Sequence, residues 1–155
     1  MSAEVEKNNY SQTKYAKIKE GFKINFMKMK DGKNGTVMWE CKDWDLFNIE
    51  DKTENLPKEI LQCKEVVREI NFSSIESIEN LELIQNFYLA GELIESSRFF
   101  FGFVIPNSTN NWEQIIEAKD EMISCEMLSG NLVVETLFLC NGNIISKSNV
   151  LIYYV

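Results

Sequence analysis

The sequence predicts an all-β fold, an antiparallel β-sandwich, on three observations. Alternating apolar and polar residues recur in short stretches from Phe22 to the C-terminus, the pattern of half-buried strands. Turn signals separate them: Asp31-Gly32-Lys33-Asn34-Gly35, Gly91, Ser129-Gly130 and Asn141-Gly142; such residues supply the backbone freedom that reversals need. Helical periodicity is scarce. About eight short strands, each apolar on one face, bury those faces by stacking as two sheets. At 155 residues the chain fits one domain with a real core.

Residues 1–20 are polar and Lys-rich with a few apolar positions such as Tyr15 and Ile18, and read as a frayed arm or short helix. The single domain is expected over 21–155. Phe22, Ile24 and Phe26 alternate with Lys23 and Asn25, then Met27 and Met29 take the other parity, a phase slip that predicts a bulge. The 31–35 turn returns the chain as a strand over Thr36–Cys41. The charged 42–57 stretch, closed by Pro57, reads as an irregular loop carrying Trp44 and Phe47. Val66, Arg68, Ile70 and Phe72 share the next face, and after a Ser73–Asn80 link Leu81, Leu83, Gln85, Phe87 and Leu89 share another. Gly91 breaks that strand, and Arg98–Ile105 runs nearly apolar to Pro106. Asn110 as N-cap with Glu113 at N3 predicts one short helix near 110–118. Val134, Thr136 and Phe138, then Val150, Ile152 and Tyr154, form the last pair.

Composition excludes several functions. His is absent, which removes catalytic triads and dyads, imidazole acid–base chemistry and His metal sites. The net charge of −8 argues against nucleic acid and against lasting residence on an anionic membrane. Cys41, Cys63, Cys125 and Cys140 show no metal-ligand spacing. With no secretory leader in view, they read as reduced, mostly buried thiols of a cytoplasmic protein. No apolar run approaches the length of a membrane helix, and neither Ser2 nor the Tyr153-Tyr154-Val155 terminus offers a lipidation motif. No phosphate loop, dinucleotide fingerprint or nucleophile elbow occurs. The expectation is a protein that is not an enzyme and uses no cofactor.

The informative oddity is polar side chains on apolar faces: Arg68 between Val66 and Ile70, Gln85 between Leu83 and Phe87. A buried, unpaired guanidinium costs several kcal/mol, so Arg68 needs an acidic or carbonyl partner or a wet opening. Two readings stand. Arg68 snorkels to water from an edge strand, or the sandwich holds a cavity whose few polar groups are Arg68, Gln85 and Thr136, the pattern of a small-molecule pocket. Phe99-Phe100-Phe101 with Phe103 reads as sandwich core.

The run Phe101-Gly102-Phe103-Val104-Ile105-Pro106-Asn107-Ser108-Thr109-Asn110 resembles the family of the delta subunit of the photoreceptor cGMP phosphodiesterase, the delta-type prenyl-binding proteins. Further matches are Gly21-Phe22-Lys23-Ile24-Asn25, Pro57-Lys58 with Ile60-Leu61-Gln62-Cys63-Lys64, and Arg68-Glu69-Ile70-Asn71-Phe72-Ser73-Ser74. Gly130-Asn131 with Glu135-Thr136 and the terminal Tyr154-Val155 complete them, so the likeness runs from Gly21 to the end.

The resemblance implies an immunoglobulin-like β-sandwich holding a farnesyl or geranylgeranyl chain between its sheets. Such a protein is a cytoplasmic, monomeric solubilising factor for prenylated proteins: Ras- and Rho-type GTPases, and a prenylated phosphodiesterase or kinase. It touches membranes transiently, and a GTP-bound Arf-like GTPase releases its cargo by binding an edge strand. Carried over by position, the lipid-binding set is Met27, Trp39, Ile60, Cys63, Arg68, Ile70, Gln85, Phe87, Glu95, Ile116, Val134, Thr136, Phe138, Val150, Ile152 and Tyr154. The chain departs from the family pattern at Ser97, where a Trp is usual, at Phe100, where an acid is usual, and at Phe87, where a smaller aliphatic is usual. Its 40–55 loop is also longer, around Leu46. Two alternatives stay open: a sibling carrier that prefers myristoyl chains, and a solid β-sandwich that binds partners at its edges only.

Overall fold

The structure, a computed structural model, describes residues 13–44, 52–117 and 123–155. A helix over 13–21 (α1) leads into β1 (Phe22–Asp31) and β2 (Val37–Trp44). Then follow β3 (Lys52–Leu56), a 3-10 turn at Lys58–Gln62, β4 (Glu65–Ser74), β5 (Ile78–Leu89), β6 (Glu92–Val104) and β7 (Ser108–Glu117). A one-turn helix, α2 (Cys125–Leu128), precedes β8 (Leu132–Cys140) and β9 (Asn143–Tyr154). One sheet has the order β2-β1-β4-β7 and the other β3-β9-β8-β5-β6. Their apolar faces meet to form the core, as the alternation requires.

The expected bulge is present. Ile24 lies opposite Phe72 and Phe26 opposite Asn71, so Asn25 is the extra residue on β1. It turns Met27 and Met29 toward the interior, on the same side as Ile24. The Asn25 amide, displaced from the ladder face, donates to Asn71 Oδ1 at 3.0 Å and Ser73 Oγ at 2.9 Å. The β1–β2 turn closes through Gly35 N–H on the Asp31 carbonyl at 2.8 Å, with Gly35 at φ +75°, where a side chain would be strained. Before β1, α1 inserts Ile18, 1% exposed, into the core, and Tyr15 Oη accepts from Asn143 Nδ2 at 2.7 Å.

Three expectations are corrected. The helix near 110–118 is instead strand β7. Trp112 and Gln114 are buried between exposed Asn111, Glu113 and Ile115, a period of two, and β7 pairs along β4 from Glu65↔Glu117 to Ser74↔Ser108. The sheet outweighs a capping box that yields only local bonds; the Asn110 amide donates to Ser108 Oγ at 2.9 Å. The 42–57 stretch is not all loop, because β2 runs to Trp44 and Lys52–Leu56 is a strand parallel to β9. Its Lys-Thr-Glu-Asn residues are those of a charged edge strand, which hides the apolar signal. Leu46 and Phe47 lie outside the described residues. Among the described residues no cysteine is in a disulfide, but only Cys140 is buried and the other three are half-buried.

Candidate functional site

The inter-sheet space is filled at one end and hollow at the other. At the filled end Phe72 packs on Phe22 (centroids 5.6 Å), on Phe101 (5.2 Å) and on Trp112 (6.4 Å). Phe138, 5.3 Å from Phe22, marks the boundary, since its other side faces a cavity. That cavity, about 220 Å³, is walled by apolar side chains of both sheets. It meets a wider chamber of about 810 Å³, with which it shares wall residues including Ile60, Val66, Phe87, Leu132 and Tyr154.

Every residue of the expected lipid-binding set except Cys63 and Glu95 stands on the wall of the inner cavity; those two stand on the wall of the wider chamber. Ser97 also lines the wider chamber. Sequence reasoning missed several wall residues: Met29, Leu56, Leu83 and Leu132 in the inner cavity, Phe99 in the outer. Parity could have found most of them. Met29 follows Met27 by two, Leu83 precedes Gln85 by two and Leu132 precedes Val134 by two.

Arg68 is the centre of the polar part of the site. It is 1% exposed and sits on β4, an interior strand, which excludes snorkelling to water from an edge. Cross-strand register builds its surroundings. Gln114 lies directly opposite Arg68 on β7, and its Oε1 accepts from Nε at 2.7 Å and from Nη2. From the facing sheet, Gln85 Oε1 accepts from Nη1, and Gln85 Nε2 donates to Thr136 Oγ1, its register partner on β8, at 3.2 Å. The guanidinium thus spans the two sheets, lying over the Phe99 ring at 5.3 Å. The expectation for it is an acidic or carbonyl partner or a wet opening; the structure supplies amide carbonyls, one of them from Gln114, which lies in the segment read as a helix. Desolvation lowers the Arg68 pKa to about 9, because burial disfavours its charge.

At the junction of the two chambers, burial pushes the Tyr154 phenol up to about 12, with Cys125 nearby adding to the shift. Its strand end is tied to the α2 turn: Tyr154 N–H donates to Ser129 Oγ at 2.9 Å and Gly130 N–H to the Ile152 carbonyl at 2.8 Å. Ser124 caps that turn, its hydroxyl accepting from Met127 N–H at 3.3 Å. Burial also raises the Cys63 thiol, so it is present as a neutral thiol at neutral pH.

An apolar hollow with a few convergent polar groups suits a lipid chain with a polar head. The family model described as GMP-PDE, delta subunit, matches residues 16–154. The chain belongs to the GMP-PDE delta subunit family. That family consists of prenyl-binding carriers and is not a known enzyme family. Among the described residues of this member, no helix is long and apolar enough to cross a membrane.

Proposed function

We propose that this protein is a solubilising carrier that draws the farnesyl or geranylgeranyl group of prenylated proteins into the inter-sheet cavity. It would move them through the cytoplasm between membranes. The observation that carries the reading is the hollow between two otherwise well-packed sheets in a GMP-PDE delta family member. Burial of a lipid yields ~0.8 kcal/mol per CH₂, on the order of 10 kcal/mol gross for a farnesyl chain. A bilayer offers the same term, so an apolar wall has only to match the membrane. Arg68, Gln85 and Thr136 would meet the polar atoms of the modified cysteine and its neighbours. The cargo would be Ras- or Rho-type GTPases and other prenylated proteins, carried by a monomer.

Release fits a partner at a sheet edge. β6 is one of the two outer strands of the five-stranded sheet, with Phe100 and Phe103 exposed, and an edge offers backbone groups for strand addition. A GTP-bound Arf-like GTPase pairing there would favour a narrowed cavity; couplings of this kind run to about 5–150-fold in affinity. The test is titration of a fluorescent farnesylated peptide, repeated with the GTP-loaded GTPase present. Saturable binding, absent for the unprenylated peptide, weakened in Arg68→Ala and reversed by the GTPase, is expected. No uptake would overturn the reading in favour of a solid interaction module. Displacement by a myristoylated peptide in preference to a prenylated one would make it a carrier of acyl chains.

A further inference from the structure

Among the described residues no carboxylate accepts a hydrogen bond from the cation at the site, although Glu54 also lines the inner cavity. Arg68 carries five N–H donors, and its hydrogen bonds use three: Nε and Nη2 to Gln114 Oε1, and Nη1 to Gln85 Oε1. One N–H on each Nη is left over. Among the described residues its acceptors are neutral amides, with no carboxylate, although the side chain is buried and lines the inner cavity. In the same cluster Gln114 Nε2 is buried without a partner. Both deficits have one sign: they are donors in want of an acceptor, and the charge calls for an anionic one. Two spare N–H groups on one planar guanidinium suit the two oxygens of a carboxylate, in water-poor surroundings where a charge-assisted pair is strong.

We propose that the cavity also takes a free long-chain carboxylic acid, unattached to any protein, with its carboxylate on Arg68 and its chain along the apolar wall. The wall provides for the chain: Met27, Ile70, Leu83, Val134, Phe138 and Ile152 line the same cavity as Arg68. The lowered guanidinium pKa agrees with a charge that lacks a counter-ion. Gln85 and Gln114, themselves set by strand register, hold the guanidinium between the sheets, so it is pre-oriented before a ligand arrives. The inference uses the same hollow as the carrier reading but does not depend on prenyl recognition.

The experiment compares the fluorescent fatty acid cis-parinaric acid with its methyl ester, both titrated below micelle formation. A farnesylated methyl-ester peptide runs as a third arm. The acid is expected to bind tighter than its ester by roughly tenfold or more, the scale of a charged over a neutral hydrogen-bonded contact. Arg68→Met should erase that difference, bringing the affinity of the acid down to that of its ester. Equal affinities for acid and ester in the unmodified protein, or no binding of the acid, would overturn the proposal without reference to any variant. An acid preference that survived in Arg68→Met would overturn it too. The peptide arm keeps the two readings apart. Peptide uptake without an acid preference sinks only this inference, and an Arg68-dependent acid preference without peptide uptake sinks only the prenyl reading.

Discussion

The two ends of the inter-sheet space are built from the same alternating strands yet do opposite things. Around Phe72 the rings of Phe22, Phe101 and Trp112 interlock, and none of the four lines either chamber. Further along, Met27 on β1 and Arg68 on β4, with Gln85 on β5 of the facing sheet, take inward positions and the sheets enclose empty volume. At the filled end rings pack directly on rings. At the hollow end Trp39, Phe87, Phe138 and Tyr154 stand among Met27, Arg68, Gln85 and aliphatic side chains, and space is left between the sheets. The filled end can therefore carry the stability that an empty cavity forfeits.

The sharpest way to break that division is Phe72→Ala. The ring is fully buried among three others, and truncation there is expected to cost about 3–5 kcal/mol in urea unfolding. A loss below about 1 kcal/mol would show that the filled end is not what holds the sandwich together. Arg68→Met should behave differently although Arg68 is as deeply buried. Relief of an uncompensated buried charge, several kcal/mol, opposes about 1–3 kcal/mol for each amide oxygen left without its donor. The net change is expected to stay within about 2 kcal/mol. A loss as large as that at Phe72 would make the guanidinium a structural strut and not a ligand group.

The same division explains what could be read from the sequence. Strands whose inner face is apolar, such as Val66 to Phe72 or Leu81 to Leu89, announce themselves by parity, and so does the Asn25 bulge. Parity also brings out Arg68 and Gln85, because a polar residue in an apolar row is conspicuous. It fails at the edges. In β3 the Lys52–Asn55 residues alternate without an apolar face, and only the pairing with β9 makes them a strand. In β7 the local capping pattern of Asn110 and Glu113 competes with the Trp112–Gln114–Ile116 alternation, and long-range pairing with β4 decides the outcome. Gln114 was lost with that strand, and with it the partner that holds Arg68. Which residues meet across the sheets, and how much space they leave, depends on register and on three-dimensional packing that no local window contains.

Tyr154 sharpens the comparison through pH, since it belongs to the hollow end. Its pKa rises from an ordinary value of 10.0 to about 12 on folding. Between these values the folded protein keeps a proton the unfolded chain has lost, so stability falls as pH rises through that window. The expected loss is on the order of 1–2 kcal/mol by pH 11.5. Arg68, whose pKa is lowered, acts in the opposite sense over the same range, but it is common to both proteins when Tyr154→Phe is compared with the parent. Urea midpoints measured from pH 9 to 11.5 should converge or cross as pH rises. Parallel curves would mean that the phenol is as well solvated in the folded protein as in the unfolded one.

The smallest effect on stability is expected from Val134→Phe, and it tests the division most directly. Val134 is half-buried on β8 and its side chain borders the inner cavity. In a filled core an added ring forces strain of about 1–3 kcal/mol. Here the ring has space to enter, and filling a cavity commonly returns about 0.5–2 kcal/mol, so unfolding free energy should change by less than about 1 kcal/mol. Affinity for a farnesylated peptide should nevertheless drop by roughly tenfold or more, because the ring occupies volume meant for the ligand. The same substitution type at a position of the filled end, Leu81→Phe, should reverse the pattern, with stability lost and ligand affinity kept in the folded fraction. If Val134→Phe unfolded the protein as readily as Leu81→Phe, the two ends would be one continuous core, and the hollow would not be the space a lipid enters.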